Sequence, residues 1–145
     1  MYDTLSFFVT TLYQDFRAYS GQRLKELGLN FGQLPFIICI GKRPGCTPSE
    51  VTKQLHMDWG HSQRSITKLE TDGFLRKERS SPNARVCRLY LTALGQQAFE
   101  TCHEVFRTWD EAHLSALAPE ELQQLTETLR KLKASCTKKG DSCEL

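Results

Sequence analysis

The chain is 145 residues long, 39% hydrophobic and 25% charged, with a net charge of +2. That length suits one globular domain with a core of its own and is too short for most multi-domain enzymes. The longest apolar run, residues 34–40, has Pro35 inside it and falls far short of the roughly 20 residues that a membrane helix needs.

Leu5, Phe8, Val9, Leu12, Phe16 and Tyr19 recur at helical spacing and predict an amphipathic helix over about 3–26, closed at Gly28. So aromatic a stripe near a terminus needs a partner, which a second subunit can supply. A second helix is predicted over about 31–42, ending at Gly41 or before Pro44. Thr47-Pro48-Ser49-Glu50 is the strongest local signal. Thr47 can cap a helix, Pro48 suits its first position, and Glu50 can bond back to the cap residue. Val51 and Leu55 give this short helix its buried stripe. Asp58 is a second cap, opening a helix over about 59–72 that stops at Gly73. Two short helices joined by about three residues make a helix-turn-helix.

From Phe74 the period changes to two. Residues 74–79 and 86–91 read as strands, with Cys87, Leu89 and Leu91 facing inward. The turn-rich link Ser80-Ser81-Pro82-Asn83-Ala84 joins them as a hairpin. Helix, turn, helix and hairpin together make a winged helix. Thr92 can cap the next helix, whose face is marked by Ala98, Cys102, Val105, Phe106, Trp109 and His113 through about residue 115. Pro119 stands near the start of a last helix with Leu122, Leu125, Leu129 and Leu132 at 3/4 spacing. The fold class is therefore mainly α with a small β-hairpin wing (α+β), in a single domain over 1–145, with 137–145 expected as a flexible tail.

Charge is unevenly spread. Residues 42–92 carry ten basic and five acidic groups, whereas 93–145 carry six and nine. A basic middle between neutral and acidic flanks points to a polyanion partner; the alternative is a solvated basic face. Stepping 100° per residue from Ile66 as the buried centre of 59–72, Ser62, Leu69 and Glu70 fall within about 40°. Arg64 falls about 160° away, with Gly60, Thr67, Lys68 and Thr71 around it and His61 at the rim. This outward face is small or basic, and such a helix can enter the major groove of double-stranded DNA. Arg64 can read guanine bidentately, and His61 and Gln63 can contact bases or phosphates. The hairpin carries Arg76, Lys77, Arg79, Arg85 and Arg88 against Glu78. Arg85, at its tip, suits the minor groove, while most other cations, Lys77 and Arg79 among them, are expected on phosphates. Arg88, beside Tyr90, is the least informative.

The stretch LNFGQLPFIICIGKRPGCTPSEVTKQLHMDWGHSQRSITKLETDGFLRKERSSPNARVCRLYLTALG resembles the MarR (multiple antibiotic resistance regulator) family of bacterial transcription regulators. KLETDGFL and LYLTALG are its most diagnostic parts, and LAPEELQQL resembles the family's last helix. The resemblance implies a homodimer joined by helices in 1–30 and 93–136, with 31–92 as the DNA-binding lobe. It implies two lobes on a pseudo-palindromic operator and frequent repression, relieved by a small ligand or by oxidation. Family positions for DNA contact fall on Gly60, His61, Gln63, Arg64 and, in the wing, Arg85. Where the family's wing usually reads Asp-x-Arg, this chain has Asn83-Ala84-Arg85, and Gly60 replaces a hydrogen-bonding residue.

The family's ligand cleft lies between the dimer helices and the lobe, so Phe16, Tyr19, Phe36 and Phe106 are candidates to line a site for a small aromatic effector. Each reads first as ordinary core. A thiol switch is the alternative signal. Cys39, Cys87 and Cys102 fall on buried faces, whereas Cys46, near Lys42 and Arg43 in a loop, best meets the need for exposure and a lowered pKa. His56 with His61, and Cys102-His103 with His113, match no tetrahedral metal pattern, and no cofactor is implied. No nucleophile elbow, P-loop or zinc-protease helix occurs, so an enzyme is not expected. A winged helix that binds protein instead of DNA is a further alternative. With no basic-then-apolar segment at the start, the expected compartment is the cytoplasm.

Overall fold

The computed structural model describes residues 3–140. The first helix, α1 (Leu5–Glu26), is capped by Thr4, whose hydroxyl oxygen accepts the Phe7 N–H. A 3-10 turn over Phe31–Gln33 follows, and Asn30 and Gln33 close it by reciprocal side-chain bonds. It leads into α2 (Leu34–Lys42), with Pro35 in the first turn, where no amide donor is needed.

The next helices form as their caps dictate. In α3 (Pro48–Gln54), Thr47 accepts the Glu50 N–H at 3.2 Å while the Glu50 carboxylate accepts the Thr47 N–H at 2.8 Å. In α4 (Trp59–Thr71), Asp58 accepts the His61 N–H at 2.7 Å. Gly73, at φ +85°, takes the left-handed conformation that closes α4. The antiparallel strands β1 (Leu75–Arg79) and β2 (Cys87–Leu91) pair Leu75 with Leu91, Lys77 with Leu89 and Arg79 with Cys87. Each begins one residue later than the periodicity predicts, and Val86 stands off the ladder, well exposed.

The core gathers Leu24 of α1, Phe36, Ile37 and Ile40 of α2, Val51 of α3, Ile66 and Leu69 of α4, and Leu75 and Leu89 of the hairpin. Ala98 and Cys102 close it from α5 (Ala93–Leu114). The start of α5 is joined to the end of α4. Thr92 Oγ1 accepts the Gly95 N–H at 3.1 Å and donates to the Gly73 carbonyl at 2.5 Å. A Cβ on Gly95 would stand 1.8 Å from the Phe74 carbonyl oxygen, so only glycine lets the helix come this close.

The last helix, α6 (Pro119–Gly140), runs past the predicted end at 136. Residues 141–145 of the expected tail, Cys143 included, lie outside the described residues. By its internal packing the chain divides into two compact units, Met1–Arg107 and Thr108–Leu145. The second buries few apolar side chains of its own: Leu125, Leu129 and Leu132 are all exposed. Among the described residues no helix is long and apolar enough to cross a membrane.

Candidate nucleic-acid interface

The outward face of α4 is built from its inward one. Ser62, Ile66 and Leu69 are fully buried, which turns Arg64, Thr67, Lys68 and Thr71 to solvent. With Gln63 these four line a groove of about 440 Å³ along the helix. His61 is exposed at its rim, as the helical wheel predicts. Gln63 is half-buried, and its Nε2 has no hydrogen-bond partner.

The start of α4 is electrostatically organised. Asp58 is held below the usual carboxylate range, first by the His61 N–H, which outweighs the opposing effect of burial, and further by the Gly60 N–H and the Arg64 and His61 charges. A Cβ on Gly60 would come 3.2 Å from Arg64 Nη1, so glycine leaves room for the guanidinium over the first turn. Lys68 pairs with Asp72 at 3.0 Å with its side chain mostly exposed.

The hairpin uses most of its cations internally. Lys77 pairs with Glu70 at 2.9 Å, about 120° around α4 from Arg64. Arg79 donates to the Ala84 carbonyl at 2.9 Å and ties the hairpin across its turn. Both are thus engaged within the protein, Lys77 with α4 and Arg79 within the hairpin. Arg76 pairs with Glu78 and lies 4.7 Å from the Tyr90 ring centre, and Arg88 donates to the Gly45 carbonyl at 2.8 Å. Arg85 is left exposed, and it lines a second groove of about 300 Å³ with Trp59, Gln63 and Val86. Gly60, His61, Gln63, Arg64, Thr67 and Lys68 thus share one helix face, with Arg85 across a gap from it. Sequence reasoning missed Trp59. On the wheel it lies about 20° from Ile66, on the core side, yet it is 55% exposed because the core ends a turn before it.

The sensing candidates separate. Phe16 stacks on Phe106 at 5.0 Å and meets Phe31 edge-on at 5.9 Å. Tyr19 is half-buried, under Arg23 at 5.6 Å. Phe36 does not join them: it is fully buried in the core, 6.4 Å from the His61 ring, because α2 turns it toward α4. Cys46 contradicts its expectation. It is 5% exposed, since its carbonyl accepts the Leu89 N–H at 2.8 Å and draws the residue against the sheet. Burial, with smaller contributions from Cys39 and Glu50, pushes its thiol up to about 11, outweighing Arg43.

No family model matches the chain. It is 37% identical over 132 residues to the HTH-type transcriptional regulator BilQ of Clostridium symbiosum, covering 91% of this chain and 92% of that one. Its backbone is similar to that of a MarR protein from Peptoclostridium difficile, with a TM-score of 0.88 at 23% identity over 99% of this chain and 95% of that one. A MarR family transcriptional regulator from Listeria monocytogenes, solved with a 26mer DNA, gives a TM-score of 0.84 at 24% identity over 97% and 93%. These two structures bear on the fold.

Proposed function

The chain belongs to the MarR family of helix-turn-helix transcriptional regulators, and we propose that it is a repressor that reads a pseudo-palindromic operator as a homodimer. It is a regulator, not an enzyme. The observation that carries the reading is the exposed face of α4, where Gln63, Arg64, Thr67 and Lys68 line one groove while Arg85 stands free beside it. Arg64 suits base edges in the major groove, with Gln63 beside it and His61 and Lys68 at its walls. Arg85 suits the adjacent minor groove. The neighbour solved with DNA supports duplex binding.

The dimer rests on unburied apolar surface. Leu5, Phe8, Val9 and Leu12 of α1 are each about half exposed, as is Leu129 of α6. Faces so apolar mark an interaction site, and a second copy of the chain covers them. The ligand that releases the operator is small and aromatic, matched to the Phe16, Phe31 and Phe106 rings. Such a regulator works in the cytoplasm. The burial of Cys46 favours this ligand over oxidation as the signal.

Selection of bound duplexes from a random pool, at two salt concentrations, tests the reading. An enriched inverted repeat with half-sites about one helical turn apart is expected. Salt-sensitive binding without enrichment counts against it.

A further inference from the structure

Trp59 and Val86 are large apolar side chains left 55% and 57% exposed, and both line the second groove. The groove lies between the first turn of α4 and the loop end of the wing. Its lining also includes Arg85 and the hydroxyl-bearing Ser49, and no carboxylate. With α4 in a major groove and Arg85 in the neighbouring minor groove, one DNA strand must cross this gap. A sugar–phosphate strand presents apolar deoxyribose faces alternating with phosphate anions. The gap presents the complement: apolar walls in Trp59 and Val86, and donors in Arg85, Ser49 and the indole N–H.

We propose that Trp59 and Val86 seat the sugar–phosphate strand between the two grooves, making Trp59 a positioning residue for the DNA contacts of α4 and the wing. The proposal rests on the operator-binding reading above. In this role Trp59 sets the distance between the base-reading helix and the minor-groove arginine, and carries no base preference of its own. Its side chain is not part of the hydrophobic core.

The test uses the full chain and the duplex recovered by selection, with neutral methylphosphonates placed one at a time along a half-site. Wild type is expected to weaken at one or two adjacent phosphates between the base pairs read by α4 and those reached by the wing. Trp59→Ala should bind the unmodified duplex roughly tenfold more weakly, with its base preferences unchanged. It should also lose sensitivity to those same methylphosphonates, while Trp59→Phe retains most of both. Wild-type affinity in Trp59→Ala overturns the proposal, as does a loss confined to one base pair, which would make Trp59 a base reader. Should Trp59→Ala fail to fold, the wild-type map decides, because an insensitive gap overturns the proposal by itself. Failure of the operator reading is distinct: no sequence is then enriched, and no half-site exists to map.

Discussion

The hydroxyl oxygens of Thr52 and Ser62 stand 2.6 Å apart and fasten α3 to α4. Thr52 Oγ1 is also 2.7 Å from the Pro48 carbonyl. Each hydroxyl carries one proton, so a relay in which Ser62 donates to Thr52 and Thr52 to Pro48 satisfies both groups. Ser62 is fully buried, away from bulk solvent. Thr52→Val keeps the shape and strands that hydroxyl, at an expected cost of about 1–3 kcal/mol. Ser62→Ala removes the buried polar group as well and should cost less. Urea titration of the two variants checks the order; equal midpoints would show that the contact is not buried in solution.

Arg64→Ala and Arg85→Ala should fail differently. Loss of a bidentate guanine contact costs about 1–3 kcal/mol and relaxes preference at one base pair. Loss of Arg85 should weaken binding where the minor groove is narrow and reduce the salt slope by about one. Competition binding on single-base variants of the selected duplex separates the two. An unchanged preference profile in Arg64→Ala removes it from base reading.

Gly95→Ala places a methyl 1.8 Å from the Phe74 carbonyl oxygen. Backbone cannot yield as a side-chain tip can, so a loss of about 1–3 kcal/mol is expected, with α5 displaced from the hairpin. Thermal unfolding and amide exchange of the hairpin report it; native stability in this variant would contradict the close approach.

Thiol labelling should follow burial. Burial pushes the Cys46 and Cys102 thiols up to about 11, so neither is appreciably thiolate at neutral pH. Cys136 is exposed. Iodoacetamide followed by peptide mapping should mark Cys136 in the native protein, and Cys46 and Cys102 only in denaturant. Native labelling of Cys46 at the rate of Cys136 would restore the thiol switch.

Acid should loosen both cap sites. The Asp58 and Glu50 carboxyls are held below their ordinary values, first by the backbone N–H groups of His61 and Thr47 respectively. A depressed folded pKa gives stability that is full above the unfolded value and lost as pH falls through the folded one. Stability should therefore decline below about pH 4.5. Asp58→Asn should flatten part of that decline, as denaturant midpoints across the acid range will show.

Local chemistry in the sequence foretells much of this lobe. Thr47 with Glu50, Asp58 and Gly73 mark the limits of α3 and α4, because caps and left-handed glycines act within a turn of themselves. The buried face of α4 follows from its period. What escapes is decided across the chain. Cys46 has Lys42 and Arg43 for sequence neighbours, but a bridge to Leu89 buries it. Lys77 reads as a free cation until the fold brings it to Glu70. Trp59 shares the azimuth of Ile66, and only the position of the core's edge along the helix axis shows that it is exposed.

The bonds of Thr92 to Gly73 and Gly95 have a mechanical meaning. They weld the first turn of α5 to the end of α4, so these two pieces make one rigid jaw. In a dimer two such jaws form a calliper set to the 10–10.5 base-pair repeat of DNA. On the proposed reading, a ligand that spread the calliper would put one jaw out of phase with its half-site while every bond within each jaw stayed made. Release would then need no unfolding and no broken cap, and the jaw that let go of the proposed operator would keep the internal structure of the one that gripped it.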